Sequence, residues 1–336
     1  MKNDVQTNVS SQMTVEEVSQ KHNGGKKIID FVGNKKIYFG ISIAIIVIGI
    51  ICHFIFGATL DIQFAGGAEI KFSYTETEEN KVDQNDLYDF IQAKTTDTIK
   101  TNFSEDLVGG TGSTVSVQFS GNDAIATDIQ ENLEKDLQEK YPDNNFKCLE
   151  SSSVDASMGF NFFLKCLAAV ALASILMVVY VTIRFKKIGG LSAGVMALVA
   201  LFHDVIMIYF LYVIFQMPID ANFIAVVLMI LGYSLNDTIV IYDRVREERK
   251  ALGAKVDASI VFNLSCTKTI KRTIMTTVTT LSAVLVVYIV AVIFNISSVQ
   301  GFALPMMMGL ISGCYSSICI AGPLWVMWQN HKKATK

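Results

Sequence analysis

Six long apolar runs punctuate the chain, at roughly 37–57, 161–184, 188–216, 221–242, 273–294 and 299–328. A hydrocarbon core ~30 Å thick is crossed by ~20 apolar residues in a helix, so each run predicts a membrane-spanning helix. The order is one run, a gap, then five. The gap, about 58–158, is polar and rich in Asp and Glu, and it is long enough for a compact domain of its own. The remaining connections are short, except for about thirty residues between the fourth and fifth runs. The chain therefore divides into a tail over 1–36, a first span over 37–57, a polar domain over 58–158, a five-helix membrane domain over 159–328 and a closing tail over 329–336.

Within the polar gap, Ile70, Phe72 and Tyr74 alternate with polar residues, as do Val115, Val117 and Phe119. That period of two marks strands with one buried face. Helices are predicted at about 83–94, where Leu87, Phe90 and Ile91 share a face, and at about 122–140, where Ile125, Ile129, Leu133 and Leu137 do. A last strand falls near Phe146 to Leu149. Strand, helix, strand, helix, strand suits a small α+β layer with its helices on one face, resembling a ferredoxin-like fold.

Composition agrees with a polytopic α-helical membrane protein. Of 336 residues, 51% are hydrophobic and 18% charged, and mean hydropathy is +0.41. The net charge of −3 comes without a basic stripe, which argues against a nucleic-acid partner. Charge distribution is more informative than charge sum. Lys26, Lys27, Lys35 and Lys36 precede the first run, Arg184, Lys186 and Lys187 join the second to the third, and Arg244, Arg246, Arg249, Lys250, Lys268, Lys271 and Arg272 lie between the fourth and fifth. Lys332, Lys333 and Lys336 close the chain. With six spans these all fall on one side, which the positive-inside rule makes cytoplasmic, with both termini there and the acidic domain outside. The polar start lacks the short apolar core and cleavage site of a secretory signal, so the first run is expected to stay as an anchor. The six cysteines show no disulfide or CxxC metal spacing. No catalytic triad, phosphate-binding glycine loop or metal cluster is visible, so neither a conventional enzyme nor a cofactor is expected.

Ionisable groups within lipid cost at least ~2.5 kcal/mol each on insertion scales and mark a partner, a cavity or a function. His203 and Asp204 lie mid-way along the third run. Asp237 lies deep in the fourth, within Gly232-Tyr233-Ser234-Leu235-Asn236-Asp237-Thr238. The fifth opens with Arg272, followed on the same face by Thr276, Thr279 and Thr280. Burial raises a carboxyl pKa and a guanidinium lowers it again, so Asp237 with Arg272 is a candidate proton site, against which stand a purely structural ion pair and an Arg272 that snorkels to the interface. Adjacent helical residues point ~100° apart, so His203 and Asp204 cannot both face one cavity squarely. Gly301, Gly309, Gly313, Ser316, Ser317 and Gly322 mark the sixth run as a closely packed one.

These stretches, with Asp243-Arg244-Val245-Arg246-Glu247, His203-Asp204-Val205, Arg272-Thr273-Ile274-Met275-Thr276-Thr277 and Gly313-Cys314-Tyr315-Ser316-Ser317, resemble in order and spacing the SecF signatures of the SecD/SecF protein-export family, within the resistance-nodulation-division superfamily. Phe64, Gly66 and Gly67 resemble the glycine pair at the start of that family's outer domain. The resemblance covers about 37–328. It departs at Gln63 and Ala65, where Asp and Thr are usual, and at Lys268, where Gln is common. What it implies is a bacterial cytoplasmic-membrane subunit that pairs with SecD, works beside the SecYEG translocon and YajC on unfolded preprotein, and uses a proton or sodium gradient. By the same resemblance Asp237 and Arg272 match the charged membrane residues tied to ion coupling; Asn236, His203, Asp204 and Thr276 stand beside them as candidates, and Gly66, Gly67, Gly232, Gly313, Ser316 and Ser317 as structural motifs. A half-transporter for lipids or small molecules, and a scaffold for SecD without ion coupling, are the rival readings.

Overall fold

A computed structural model describes residues 15–76, 80–95, 98–105, 112–120, 127–253, 256–294 and 296–334. In chain order the elements are α1 (Val15–His22), α2 (Lys35–Phe56), α3 (Ile62–Ala65), β1 (Gly67–Thr75), α4 (Gln84–Lys94), β2 (Thr98–Glu105), β3 (Gly112–Ser120), α5 (Thr127–Lys140) and β4 (Lys147–Val154). There follow α6 (Ala156–Arg184), α7 (Gly190–Ile214), α8 (Ala221–Leu252), α9 (Ala258–Ile293), α10 (Ser297–Ser316), a π-helical turn over Ser317–Ala321, and α11 (Gly322–Ala334).

Aspartate starts many of these helices. Asp61, Asp83, Asp155, Asp220 and Asp257 each sit at the N-cap and accept a backbone N–H from two or three residues on, which satisfies a donor the first turn leaves orphaned. Gly57 and Gly253 close α2 and α8 at φ of 73° and 86°, a conformation that favours glycine.

Six described helical stretches are long and apolar enough to span a bilayer: α2, α6, α7, α8, α9 and the continuous α10–α11. The chain is thus a multi-pass α-helical membrane protein. α7, α8 and α10 form the buried centre, while α2, α6 and α9 present Ile41, Ile48, Leu172, Ile175, Met275 and Val286 outward, as suits contact with lipid or a second membrane protein. α10 reaches α8 through its glycines: a methyl on Gly309 would lie 2.6 Å from Ile230, and one on Gly313 3.0 Å from Ser234.

One expectation changes here. The thirty-residue connection between the fourth and fifth runs is mostly helix, α8 running on to Leu252 and α9 starting at Ala258. These extensions are amphipathic rather than apolar, so hydropathy passes over them. Val245, Leu252, Val261 and Phe262 are buried on one side, and Arg244 pairs with the exposed Glu247 at 2.8 Å and with the buried Glu248 at 2.7 Å. The N-terminal segment straps across this region. Val18, Phe31 and Val32 are buried, and Asn263 accepts from the N–H of Phe31 (3.1 Å) and of Val32 (3.2 Å) while donating to Asp30 (2.8 Å).

The polar domain is a four-stranded antiparallel sheet ordered β2-β3-β1-β4. Ile70 opposes Val117 and Phe72 opposes Val115, and these side chains are buried with Leu87, Ile91, Leu133, Leu137 and Phe146 from the flanking elements. Tyr74 stacks on Phe146 with ring centroids 4.7 Å apart. The strand β2 was not expected: it is an edge strand, and among its described side chains only Ile99 and Phe103 join the core, too few apolar positions to announce themselves. Ile125, assigned above to a helical face, lies outside the described residues.

This domain is tied to the bundle at one end. The N–H of Ile219 donates to Thr59 O (2.8 Å) and that of Asp61 to Ile219 O (3.1 Å), pairing the exit from α2 with the α7–α8 connection. Gly66 and Gly67, at φ of 79° and 123°, turn α3 into β1, and α6 packs so close that a methyl on Gly159 would sit 3.1 Å from the Gly66 nitrogen. The clustered Lys and Arg residues lie at the opposite, basic end.

Candidate functional site

Asp204 and Asp237 are both buried among the central helices, and their surroundings differ. Asp204, on α7, is 0% exposed. One oxygen, Oδ2, accepts from Ser234 Oγ of α8 at 2.8 Å and Ser316 Oγ of α10 at 2.7 Å. The other, Oδ1, accepts from Ser312 Oγ of α10 at 2.7 Å and lies 3.3 Å from His203 Nδ1. Around this cage Ser317 Oγ donates to the Ser234 carbonyl at 3.0 Å, and Thr238 Oγ1 donates to Ser317 Oγ at 3.0 Å. Three helices are therefore joined through one carboxylate and its hydroxyls.

The π turn follows directly on Ser316, and both Ser316 and Ser317 are buried. Such wide turns alter helix phase locally and recur at functional sites. His203 Nδ1 faces the cage while its buried Nε2 has no hydrogen-bond partner among the described residues.

Asp237, one turn beyond Ser234 on α8, is 2% exposed, and its Oδ2 has no hydrogen-bond partner among the described residues. The Thr273 hydroxyl on α9 is likewise buried and unpartnered. Tyr233 donates to Thr277 Oγ1 at 3.4 Å, so α8 meets α9 along Thr273 and Thr277. A carboxylate held without donors in an apolar bundle is costly unless something intermittently joins it.

The expected companions are arranged differently. Among the described residues no ion pair or hydrogen bond joins Asp237 to Arg272. The Arg272 side chain is exposed at the basic end, in a cleft shared with Arg184, Asp243, Arg244, Arg246, Glu247 and Lys268. Thr276 and Thr280 donate to carbonyls of their own helix, at Arg272 and Thr276, both at 2.9 Å. Asn236 faces outward, and Gly232 is exposed with open space where a Cβ would go. Ser316, Ser317 and Gly313 do converge with Asp204 and Ser234. Sequence reasoning missed Ser312 and placed Ser234 only as part of a motif. Ser312 lies four residues before Ser316 and so on its face, a signal that was available.

At the basic end Arg184 and Arg246 hold Asp243 at 3.1 and 2.9 Å, and Lys268 pairs with Glu248 at 2.7 Å. At the sheet end, burial pushes the Asp61 carboxyl up from its ordinary range, and the nearby charges of Glu69 and Asp220 push it further, against the Gln63 N–H it accepts. Asp220 is raised by burial too.

Comparison with known proteins places this arrangement. Residues 132–331 match the family model described as protein export membrane protein SecD/SecF, C-terminal. The chain is 33% identical over 307 residues to protein translocase subunit SecF of Sebaldella termitidis, covering 90% of this chain and 92% of that one. It is 32% identical over 316 residues to the subunit SecF of Alicyclobacillus acidocaldarius, covering 93% and 97%. It is also 32% identical over 309 residues to protein translocase subunit SecDF of Bacillus subtilis, covering 90% of this chain but only 38% of that protein's length. Among solved structures, SecDF from Thermus thermophilus, titled a translocon-associated membrane protein, superposes with a TM-score of 0.74 at 24% identity over 94% of this chain and 41% of that one. A super-membrane-facing form of SecDF gives a TM-score of 0.60. At that identity the structures speak to fold alone.

Proposed function

This chain belongs to the SecD/SecF family of protein-export membrane proteins, and on that premise we propose that it is a SecF-type export subunit in which ion movement past Asp237 drives motion of the polar domain during late preprotein translocation. The observation that carries this is the Asp237 carboxylate, 2% exposed in the membrane bundle with an oxygen that nothing in the described chain engages. A group so placed is suited to load an ion from one side and release it to the other. The Asp204 cage ties α7, α8 and α10 together next to it, so a change at Asp237 is passed to helices that also carry the junction at Asp61, Ile219 and Asp220.

The polar domain is read as ferredoxin-like and extracytoplasmic. Its β-α-β-β-α-β order with the sheet order β2-β3-β1-β4 supports the first. The clustering of Lys and Arg at the opposite end supports the second, with both termini cytoplasmic in a bacterial inner membrane. A SecD partner covers the outward faces of α2, α6 and α9. Support comes from the relative named SecDF, of which this chain matches 38% and which leaves room for a second subunit-sized region. The SecYEG translocon, YajC, membrane lipids and unfolded preprotein are the further companions that the family resemblance implies.

The test is ion flux in proteoliposomes containing this chain, its SecD partner and an unfolded preprotein. Flux that Asp237→Asn abolishes is the expected result. Equal flux from parent and variant makes Asp237 a structural group and overturns the mechanism.

A further inference from the structure

A fully buried carboxylate inside an apolar bundle needs its charge balanced. Among the described residues no lysine or arginine pairs with Asp204; its only ionisable neighbour is the adjacent His203, at the long distance of 3.3 Å. What surrounds Asp204 instead is oxygen. The Ser234, Ser312 and Ser316 hydroxyls stand 2.7–2.8 Å from its two carboxylate oxygens, and Ser317 Oγ lies 3.5 Å from Ser234 Oγ behind them. These oxygens come from α7, α8, α10 and the π turn, so the cage closes only in the assembled bundle.

A serine hydroxyl donates to a carboxylate or, after rotating, offers its lone pairs to a cation. The same five oxygens of Asp204, Ser234, Ser312 and Ser316 therefore serve an ion-free state and, once the hydroxyls turn and the oxygens part to admit an ion, an ion-bound one. Carboxylate and hydroxyl oxygens are hard donors, the set that takes alkali and alkaline-earth ions in preference to transition metals. Charge then selects among the hard ions: one monovalent cation neutralises the single carboxylate, whereas a divalent one leaves a net positive charge in a poorly screened interior. Oxygens clustered this closely have to part least for a small ion, which favours sodium over potassium.

We propose that Asp204, with Ser234, Ser312 and Ser316, forms a sodium-binding site in the membrane bundle, separate from Asp237. The proposal deepens the ion-coupling reading by naming the ion and a second station, and it rests on that reading only for its purpose, not for its chemistry. The π turn begins at Ser317, directly after Ser316, and a bound ion bridges α7, α8 and α10 through these oxygens.

Equilibrium binding of radioactive sodium to the purified full-length chain, without a partner, tests it, alongside thermal melting as sodium chloride replaces choline chloride at constant ionic strength and pH. The parent is expected to bind sodium saturably and to melt higher as sodium rises. Asp204→Asn should abolish both effects, Ser312→Ala and Ser316→Ala should each weaken binding about tenfold, on the order of one lost favourable contact, and Gly232→Ala should bind as the parent does. Absence of saturable binding by the folded parent overturns the proposal, as does binding unchanged in the two serine variants; these remain decisive should Asp204→Asn fail to fold. Because sodium binding is read at equilibrium on this chain alone, its failure is distinct from failure of the Asp237 flux experiment.

Discussion

Replacing Asn263 by alanine should release the N-terminal strap without unfolding the bundle. Asn263 Oδ1 is the acceptor for two backbone donors, the N–H groups of Phe31 and Val32 at 3.1 and 3.2 Å, and both of those residues are buried. Its Nδ2 also holds Asp30 at 2.8 Å. Each buried donor left without an acceptor costs about 1–3 kcal/mol. Water reaches the edge of the strap once it loosens, so two donors together give roughly 2–4 kcal/mol, or about 30- to 700-fold more frequent local opening. Hydrogen exchange read at the Phe31 and Val32 amides measures this directly, and trypsin should reach Lys26 and Lys27 correspondingly faster. Asn263→Asp separates hydrogen bonding from packing: it keeps an acceptor for both amides but sets a second carboxylate against Asp30, so it should open less than the alanine variant. Amide protection at Phe31 and Val32 that is the same in Asn263→Ala as in the parent would refute the reasoning.

Gly190→Ala should sharply reduce the folded yield, because its methyl would meet the Thr182 carbonyl oxygen at 2.1 Å and backbone cannot swing away; a loss of at least about 1–3 kcal/mol is expected in thermal melting, against little change for Gly232→Ala. Phe72→Ala removes a fully buried ring from the sheet and should destabilise the polar domain by about 3–5 kcal/mol, seen as lost amide protection in β1 and β3 while the membrane helices stay protected. Burial, with Glu69 and Asp220, raises the Asp61 carboxyl pKa, so the folded junction binds a proton more tightly than the unfolded chain does. Its stability is therefore greatest below the ordinary carboxylate range and falls as pH rises through the raised value. Asp61→Asn keeps an acceptor for the Gln63 N–H and should flatten that decline in melting temperature; an unaltered pH profile would show that Asp61 is not its source.

How much of this could be read beforehand follows from what each feature needs. A membrane span must be continuous and apolar over its whole length, so all six announce themselves in one dimension. The helical extensions around Val245 and Val261 do not, since their burial depends on one face and on the strap that covers it. The inward faces of β1 and β3 are legible because Ile70, Phe72, Val115 and Val117 alternate strictly, while β2 carries too few apolar residues to stand out beside its polar neighbours. Depth is likewise a property of position along a helix, which is why Asp204 and Asp237 were both found.

Their difference is not a matter of depth. The donors to Asp204 are 30, 108 and 112 residues away in sequence, and their convergence depends on how α10 approaches α8 through Gly309 and Gly313. The ~100° rule sets the His203 and Asp204 side chains apart in direction, yet the His203 ring turns its Nδ1 back to within 3.3 Å of Asp204 Oδ1, at the edge of the space between three helices. Asp237, a single turn along α8 from Ser234, has no such hydroxyl donors among the described residues, and the expected arginine does not pair with it. Serine supply therefore distinguishes a caged carboxylate from an open one within the same membrane layer. Moving the cage is a test of that logic: in Ser234→Ala the hydroxyl that α8 supplies to Asp204 is lost, and if α8 is the element that links the two carboxylates, both sodium binding and Asp237-dependent flux should fall together, whereas loss of binding with flux intact would mean that the two carboxylates work independently.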